Sequence, residues 1–165
     1  MFKIGIIGAG WIAQKMAKTL APLQDYCVHA VASRSREKAE AFAKTWNITK
    51  AYGSYEELVC DEDIDLVYIA TPHSHHFSHA MLALDHGKPV LVEKAFTANA
   101  VQAEELIATA RRKGVFITEA IWTRYMPLSH KVKELMESGI IGEPRILTAS
   151  LCYMMDSKER IIRPE

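Results

Sequence analysis

An apolar run, Pro89-Val90-Leu91-Val92, ends abruptly in Glu93 and Lys94. A lysine there can take a proton from a carbinol when neutral, or steady an oxyanion when charged. Burial and a nearby cation both disfavour the ammonium, and Glu93 can orient the amine. The bland reading is a solvated loop pair. Near the start, "IGIIGAGWIA" contains Gly8-Ala9-Gly10-Trp11-Ile12-Ala13, a G-x-G-x-x-A spacing after an apolar run. Gly8 permits a tight turn, Gly10 lets an anion approach the backbone, and Ala13 lets helix and strand pack closely. The free N–H groups at the helix start then hold a pyrophosphate. A merely structural strand–helix turn is the bland alternative, and methyltransferases also use Gly-rich first turns.

Two further clusters bear on a nucleotide. The second strand ends in Ala32-Ser33-Arg34-Ser35-Arg36, with no acid to receive ribose hydroxyls. A carboxylate would repel a 2′-phosphate, whereas Ser33 and Arg34 can bind it through charge-assisted hydrogen bonds. NADP is therefore expected, with NAD possible, against the reading of Arg34 and Arg36 as solvated helix-start residues. "ATPHSHHFSHA" follows another apolar run, so Thr71, Pro72, His73 and His76 fall where open α/β sheets bind ligands. His75 and His79 have an i, i+4 spacing that a metal can use. No Glu frames them and no Cys is adjacent, so no metal is assigned and the two read as surface helix residues.

These residues need a frame. Strands are expected at Phe2–Ile7, Cys27–Ala32, near Ala51, at Asp65–Ala70, Pro89–Val92 and Val115–Thr118. Helices are expected at Trp11–Leu20, Arg36–Trp46, Tyr55–Val59 with Ser54 as cap, Ser74–Asp85 and Asn99–Lys113. Strands alternating with helices over short links give an α/β fold, a doubly wound parallel sheet of the Rossmann dinucleotide-binding type. The rhythm changes after Thr118. A helix over Leu128–Ser138 precedes "RILTASLCYM", whose partial alternation suits a one-sided antiparallel sheet. Residues 1–121 are expected to form the dinucleotide-binding domain. Residues 122–165 are expected to hold a junction helix and the first strand of a truncated, incomplete α+β substrate or oligomerisation domain.

Bulk properties narrow the classes. The chain has 165 residues, 49% hydrophobic and 24% charged, which excludes disorder. Lys+Arg and Asp+Glu are equal at 20 each, so no basic excess points to nucleic acid. Cys27, Cys60 and Cys152 are odd in number and far apart, suggesting neither a disulfide framework nor a zinc ribbon, and a reducing cytoplasmic setting is expected. The uncharged run Ile4–Gln14 is too glycine-rich for a signal peptide, and no stretch approaches the ~20 apolar residues of a membrane span.

The glycine turn, Ala70-Thr71-Pro72 with His76 four residues after the proline, and Glu93-Lys94 together resemble the Gfo/Idh/MocA oxidoreductases. "EKAFTANAVQAEELIATARRKGVFITEAIWTRYMP" is similar to the branch of dimeric dihydrodiol dehydrogenases. The resemblance implies an NAD(P)-dependent dehydrogenase or reductase acting on a sugar, polyol or dihydrodiol-like carbinol. It implies that Lys94 contacts substrate and assists proton transfer, and that Gly8, Gly10, Trp11 and Ile12 hold the pyrophosphate. Ser33 and Arg34 would read the adenosine ribose, while Thr71, Pro72, His73 and His76 would flank the nicotinamide ribose. Trp122 and Arg124 would close over the cofactor, against a reading as a junction aromatic and an ion pair. Two departures stand out. Ala95 replaces the family's proline; a non-proline cis bond costs about 3 kcal/mol, so a trans bond is expected, or else a strained cis one held by its surroundings. Family members also run to roughly twice this length. The chain is therefore expected to be an N-terminal fragment that binds cofactor without catalysing alone, with homo-oligomers formed by the full-length protein. A non-catalytic nucleotide-binding regulator on the same fold is the alternative.

Overall fold

β1 (Phe2–Ile7), β2 (Tyr26–Ala32), β3 (Lys50–Tyr52), β4 (Leu66–Ile69), β5 (Val90–Val92) and β6 (Ile117–Glu119) form one sheet in the order β3-β2-β1-β4-β5-β6. Every neighbouring pair is parallel. The structure is a computed structural model, and it describes residues 1–152. Parallel strands need crossovers, and α1 (Trp11–Leu20), α2 (Arg36–Trp46), α3 (Tyr55–Val59), α4 (His76–Asp85) and α5 (Ala100–Lys113) supply them. The sheet reverses its order between β1 and β4, which is the crevice where such sheets take ligands.

The inner strands β4 and β5 are apolar on both sides because both faces of the sheet are covered. Ile6, Val31 and Tyr68 pack with Ala13 and Ala17 of α1 and Phe42 of α2 on one face. Ile7, Val67, Ile69 and Val92 pack with Leu58 of α3, Leu84 of α4 and Leu106 of α5 on the other. Ile6, Ile7, Leu58 and Leu106 are fully buried. Each such side chain contributes about 1.5–3 kcal/mol of transfer free energy, and truncating Leu106 to Ala would cost about 2–5 kcal/mol.

Local chemistry starts and stops the helices. Ser35 Oγ accepts from Lys38 N–H, Ser54 Oγ from Glu57 N–H and Asn99 Oδ1 from Gln102 N–H, capping α2, α3 and α5. The expected helix Ser74–Asp85 opens as a 3₁₀ turn, His73–His75, before α4 begins at His76.

The amino edge of the sheet carries a charged knot. Lys50 Nζ lies 2.9 Å from Asp61 Oδ1 and 3.0 Å from Asp63 Oδ2, and Lys3 Nζ lies 2.8 Å from Asp63 Oδ1. Tyr52 donates to Asp61 Oδ2 at 3.0 Å. His29, Asp61 and Asp63 have a spacing that a metal could use, but the two ammonium groups already neutralise the carboxylates.

The chain divides into two compact units, Met1–Ile121 and a second that starts at Trp122. The second holds a 3₁₀ turn, Trp122–Tyr125, and α6 (Pro127–Glu137), which starts on a proline where no N–H is needed. The strand expected from Arg145 is not formed over residues 145–152, and the rest of that stretch lies outside the described residues. Among the described residues it has no neighbouring strand to bond, and a strand alone leaves its backbone groups to water. No helix among the described residues is long and apolar enough to cross a membrane.

Candidate functional site

Parallel pairing brings the ends of five strands to one edge. Gly8 N–H donates to Ala32 O at 2.9 Å, Ala70 N–H to Ile7 O at 2.9 Å, Glu93 N–H to Ile69 O at 3.1 Å and Ala120 N–H to Val92 O at 2.7 Å. The glycine turn, Ser33, Thr71 and the Glu93-Lys94 pair therefore lie along a single hydrogen-bonded rim.

The glycine turn fits a pyrophosphate. Gly8 has φ +105°, and a Cβ there would sit 2.8 Å from Ala70 O, so glycine is required. Gly10 is the N-cap of α1 without a side-chain cap, and a Cβ on it would meet nothing within 4 Å. The first turn of α1 holds no acid, and the first backbone bond into Gly10 O comes from Gln14 N–H. The N–H groups of Trp11, Ile12 and Ala13 precede that bond and point out of the helix end, as anion-binding turns require. Trp11 is largely exposed, with Lys15 Nζ 4.4 Å from its ring centre.

Arg34 is exposed and Ser33 half-buried at the end of β2, and Ser33 Oγ accepts from Ser35 N–H at 3.4 Å. Arg34 lines a small cleft with Tyr55, Thr71, Pro72, His75 and His79. His79 is no free surface residue. Its Nδ1 pairs with Thr71 Oγ1 at 3.0 Å, and its ring meets Tyr55 edge to face at 4.5 Å. Burial first, and then the cationic neighbourhood of His75, His76 and Arg34, pushes the His79 imidazole down to about 4. His75 is exposed. A larger groove of about 490 Å³, lined by Ile107, Arg111 and Phe116, sits between α5 and the start of β6, away from this rim.

His76 departs from its expected place. It is fully buried, with Nδ1 2.8 Å from Ala95 O and Nε2 2.9 Å from Thr71 O. Its polar atoms face the protein's own backbone, whereas His73 on the preceding turn is exposed, its ring 5.4 Å away.

Glu93 is anchored at both oxygens. Tyr68 O–H donates to Oε1, and the Lys94 backbone N–H donates to Oε2 at 3.2 Å. Burial first, and then the Glu93 carboxylate, raises the Tyr68 hydroxyl far above the usual phenol range, so it remains a donor. Lys94 itself is exposed. The Lys94–Ala95 peptide is cis rather than trans. Around it, His76 faces the Ala95 carbonyl and Glu119 Oε1 accepts from Phe96 N–H at 2.8 Å, contacts that a local preference for trans does not include. Tyr68 and Glu119 escape a reading of the sequence because both look like ordinary strand residues; only the register puts them beside this turn. Trp122 and Arg124 belong to the second unit, on its 3₁₀ turn.

A doubly wound parallel sheet with an uncapped glycine turn at its switch point defines the class of Rossmann-type nucleotide-binding proteins. The chain belongs to the Gfo/Idh/MocA family, matched over residues 2–120 and described as an oxidoreductase family with an NAD-binding Rossmann fold. It is 46% identical to the D-xylose 1-dehydrogenase (NADP(+)) of Hypocrea jecorina, over 95% of this chain and 43% of that enzyme. It is 44% identical to the trans-1,2-dihydrobenzene-1,2-diol dehydrogenase of Mus musculus, over 90% of this chain and 45% of that enzyme. Among solved structures, an NAD binding oxidoreductase from Klebsiella pneumoniae matches with a TM-score of 0.78 at 34% identity, over 87% of this chain and 40% of that one. KijD10, a 3-ketoreductase from Actinomadura kijaniata seen in complex with TDP-benzene and NADP, matches with a TM-score of 0.76 at 31% identity, over 86% of this chain and 45% of that one. The chain thus spans about half the length of the curated relatives it matches.

Proposed function

We propose that residues 1–121 form the cofactor half of an NADP-dependent dehydrogenase or reductase that acts on a carbinol of a sugar, polyol or dihydrodiol-like substrate. The observation that carries this reading is the rim itself: an open, uncapped glycine turn ends β1 and the Glu93-Lys94 pair ends β5, on the same edge of one parallel sheet with β4 between them. Gly8, Ala9, Gly10, Trp11 and Ile12 would hold a pyrophosphate, and Ser33 and Arg34 a 2′-phosphate. Thr71, Pro72 and His73 would flank the nicotinamide ribose, with His76 setting the position of Thr71. A nicotinamide bound there would accept hydride from the carbinol carbon. Lys94 would take the hydroxyl proton or steady the oxygen, and Glu93 would hold the Lys94 backbone by its amide. Support for NADP comes from the absence of an acid among residues 33–36 at the end of β2 and from the NADP named for the Hypocrea jecorina enzyme and for KijD10.

In this reading residues 122–165 open a substrate and oligomerisation domain, and residues 1–165 alone bind cofactor without turnover. The full-length protein would work as a cytoplasmic homo-oligomer.

Fluorescence titration of the chain with NADPH, NADH and S-adenosylmethionine tests the cofactor. NADPH should bind tightest, and Arg34→Ala should weaken it about tenfold while leaving NADH within about twofold, because a charge-assisted contact contributes about 1.5–3 kcal/mol. Binding of S-adenosylmethionine without NADPH would overturn the reading. Lys94→Ala in a full-length protein should abolish turnover and retain NADPH binding; an unchanged output would make the protein a nucleotide-binding regulator instead.

A further inference from the structure

Both ring nitrogens of the fully buried His76 lie at hydrogen-bond distance from backbone carbonyl oxygens, Ala95 O at 2.8 Å and Thr71 O at 2.9 Å. A carbonyl oxygen only accepts. A neutral imidazole has one N–H and one lone pair, so it satisfies one of these oxygens and presents a lone pair to the other. Changing tautomer merely exchanges which oxygen is left facing a lone pair. We infer that His76 carries a proton on each nitrogen and acts as a cationic staple between the loop after β4 and the loop after β5.

Burying a charge is costly unless hydrogen bonds answer it. Here each N–H meets a carbonyl, and hydrogen bonds from a charged donor are about twice as strong as neutral ones. The titratable groups around the ring are His73 on the preceding 3₁₀ turn, His79 one turn on in α4, Glu93 and Lys94 just before Ala95, and Glu119 at the end of β6. Glu93 is already bonded by Tyr68 and Lys94 N–H, and Glu119 by Phe96 N–H, so neither carboxylate is needed as the counter-group. His79 holds the side chain of the same Thr71 whose carbonyl His76 holds. Two histidines three residues apart on α4 thus fix Thr71 by main chain and side chain, and one of them ties it to the Lys94–Ala95 turn. His76 is a positioning residue for both loops.

The inference needs only the fold, not the cofactor assignment, and its test reads the ring directly. Long-range ¹H–¹⁵N correlation on the ¹⁵N-labelled chain near neutral pH should show both His76 nitrogens in the protonated range. One nitrogen in the range of an unprotonated imidazole would overturn the proposal. Raising the pH until the ring loses its second proton should shift the Thr71 and Ala95 carbonyl ¹³C signals together, with one midpoint shared by the ring. Carbonyl signals that ignore the ring would also overturn it. His76→Gln, with one donor and one acceptor, should lose one of the two carbonyl contacts; if that variant does not fold, the ring measurement still decides.

Discussion

The Tyr68 hydroxyl, rising from β4, donates to Glu93 Oε1 at the end of β5. The carboxylate next to Lys94 is thereby fixed from inside the sheet. Tyr68→Phe deletes the bond and leaves a half-buried carboxylate oxygen without its donor. Hydrogen bonds to charged groups contribute about 1.5–3 kcal/mol, so urea denaturation should show a loss in that range. A loss under about 0.5 kcal/mol would mean that the bond contributes little in solution.

The two glycines of the turn should fail differently. Gly8→Ala meets Ala70 O and a positive φ, and should destabilise the fold by at least about 1 kcal/mol. Gly10→Ala has open space and an ordinary φ of −90°, so stability should change by no more than about 0.5 kcal/mol. NADPH binding by Gly10→Ala should nonetheless fall about tenfold or more, because the methyl group occupies the approach to the helix end. Thermal melts and NADPH titrations on the same samples would check both.

His79 makes stability depend on pH in a defined direction. Its folded imidazole titrates near 4, whereas an unfolded histidine titrates near ~6.5. Between those values the unfolded chain binds the extra proton, so stability should fall as pH drops from about 6.5 to about 4. Above that window both states are neutral and His79 contributes no slope. His79→Phe should flatten the curve within the window; an equal slope in the variant would remove His79 as the cause.

The acid limb below that window should come from the amino edge. Lys3 first, and then Lys50, hold the Asp63 carboxyl well below the usual carboxylate range. For Asp61, burial pushes the other way, but the hydrogen bonds from Lys50, Asp63 N–H and Tyr52 prevail and the net shift is downward. Stability from depressed carboxylates is complete above their unfolded value, near ~3.9, and is lost as pH falls below it. Asp63→Asn should be less stable at neutral pH and lose less on acidification, as read by denaturation at pH values from about 5 down to about 2. Parallel curves for variant and parent would exclude the knot as the source.

What could be read without the structure follows from how local each signal is. Gly8, Gly10, Ser54 and Asn99 act within a few residues of themselves, so their turn and caps show in the bare string. The sheet order follows from alternating apolar runs and the right-handed crossover. Tyr68–Glu93 and Glu119–Phe96 depend on which residue of one strand lies beside which of the next, and no local pattern carries that register. The spacing from Pro72 groups His76 with the cofactor loop, yet the residue is fully buried and its ring nitrogens face Thr71 O and Ala95 O, and the Ala95 partner lies 19 residues away where no local spacing shows it. The strand expected from Arg145 depends on partners that the described residues do not contain.

The charged knot at the amino edge and the open rim at the carboxyl edge share strands but no side chains. Changes that retune the glycine turn or Arg34 therefore leave the lysine–carboxylate pairs untouched, and changes that harden those pairs leave the rim as it is. For an engineer this separates two tasks: thermal robustness can be raised at one end of the sheet while nucleotide preference is rewritten at the other.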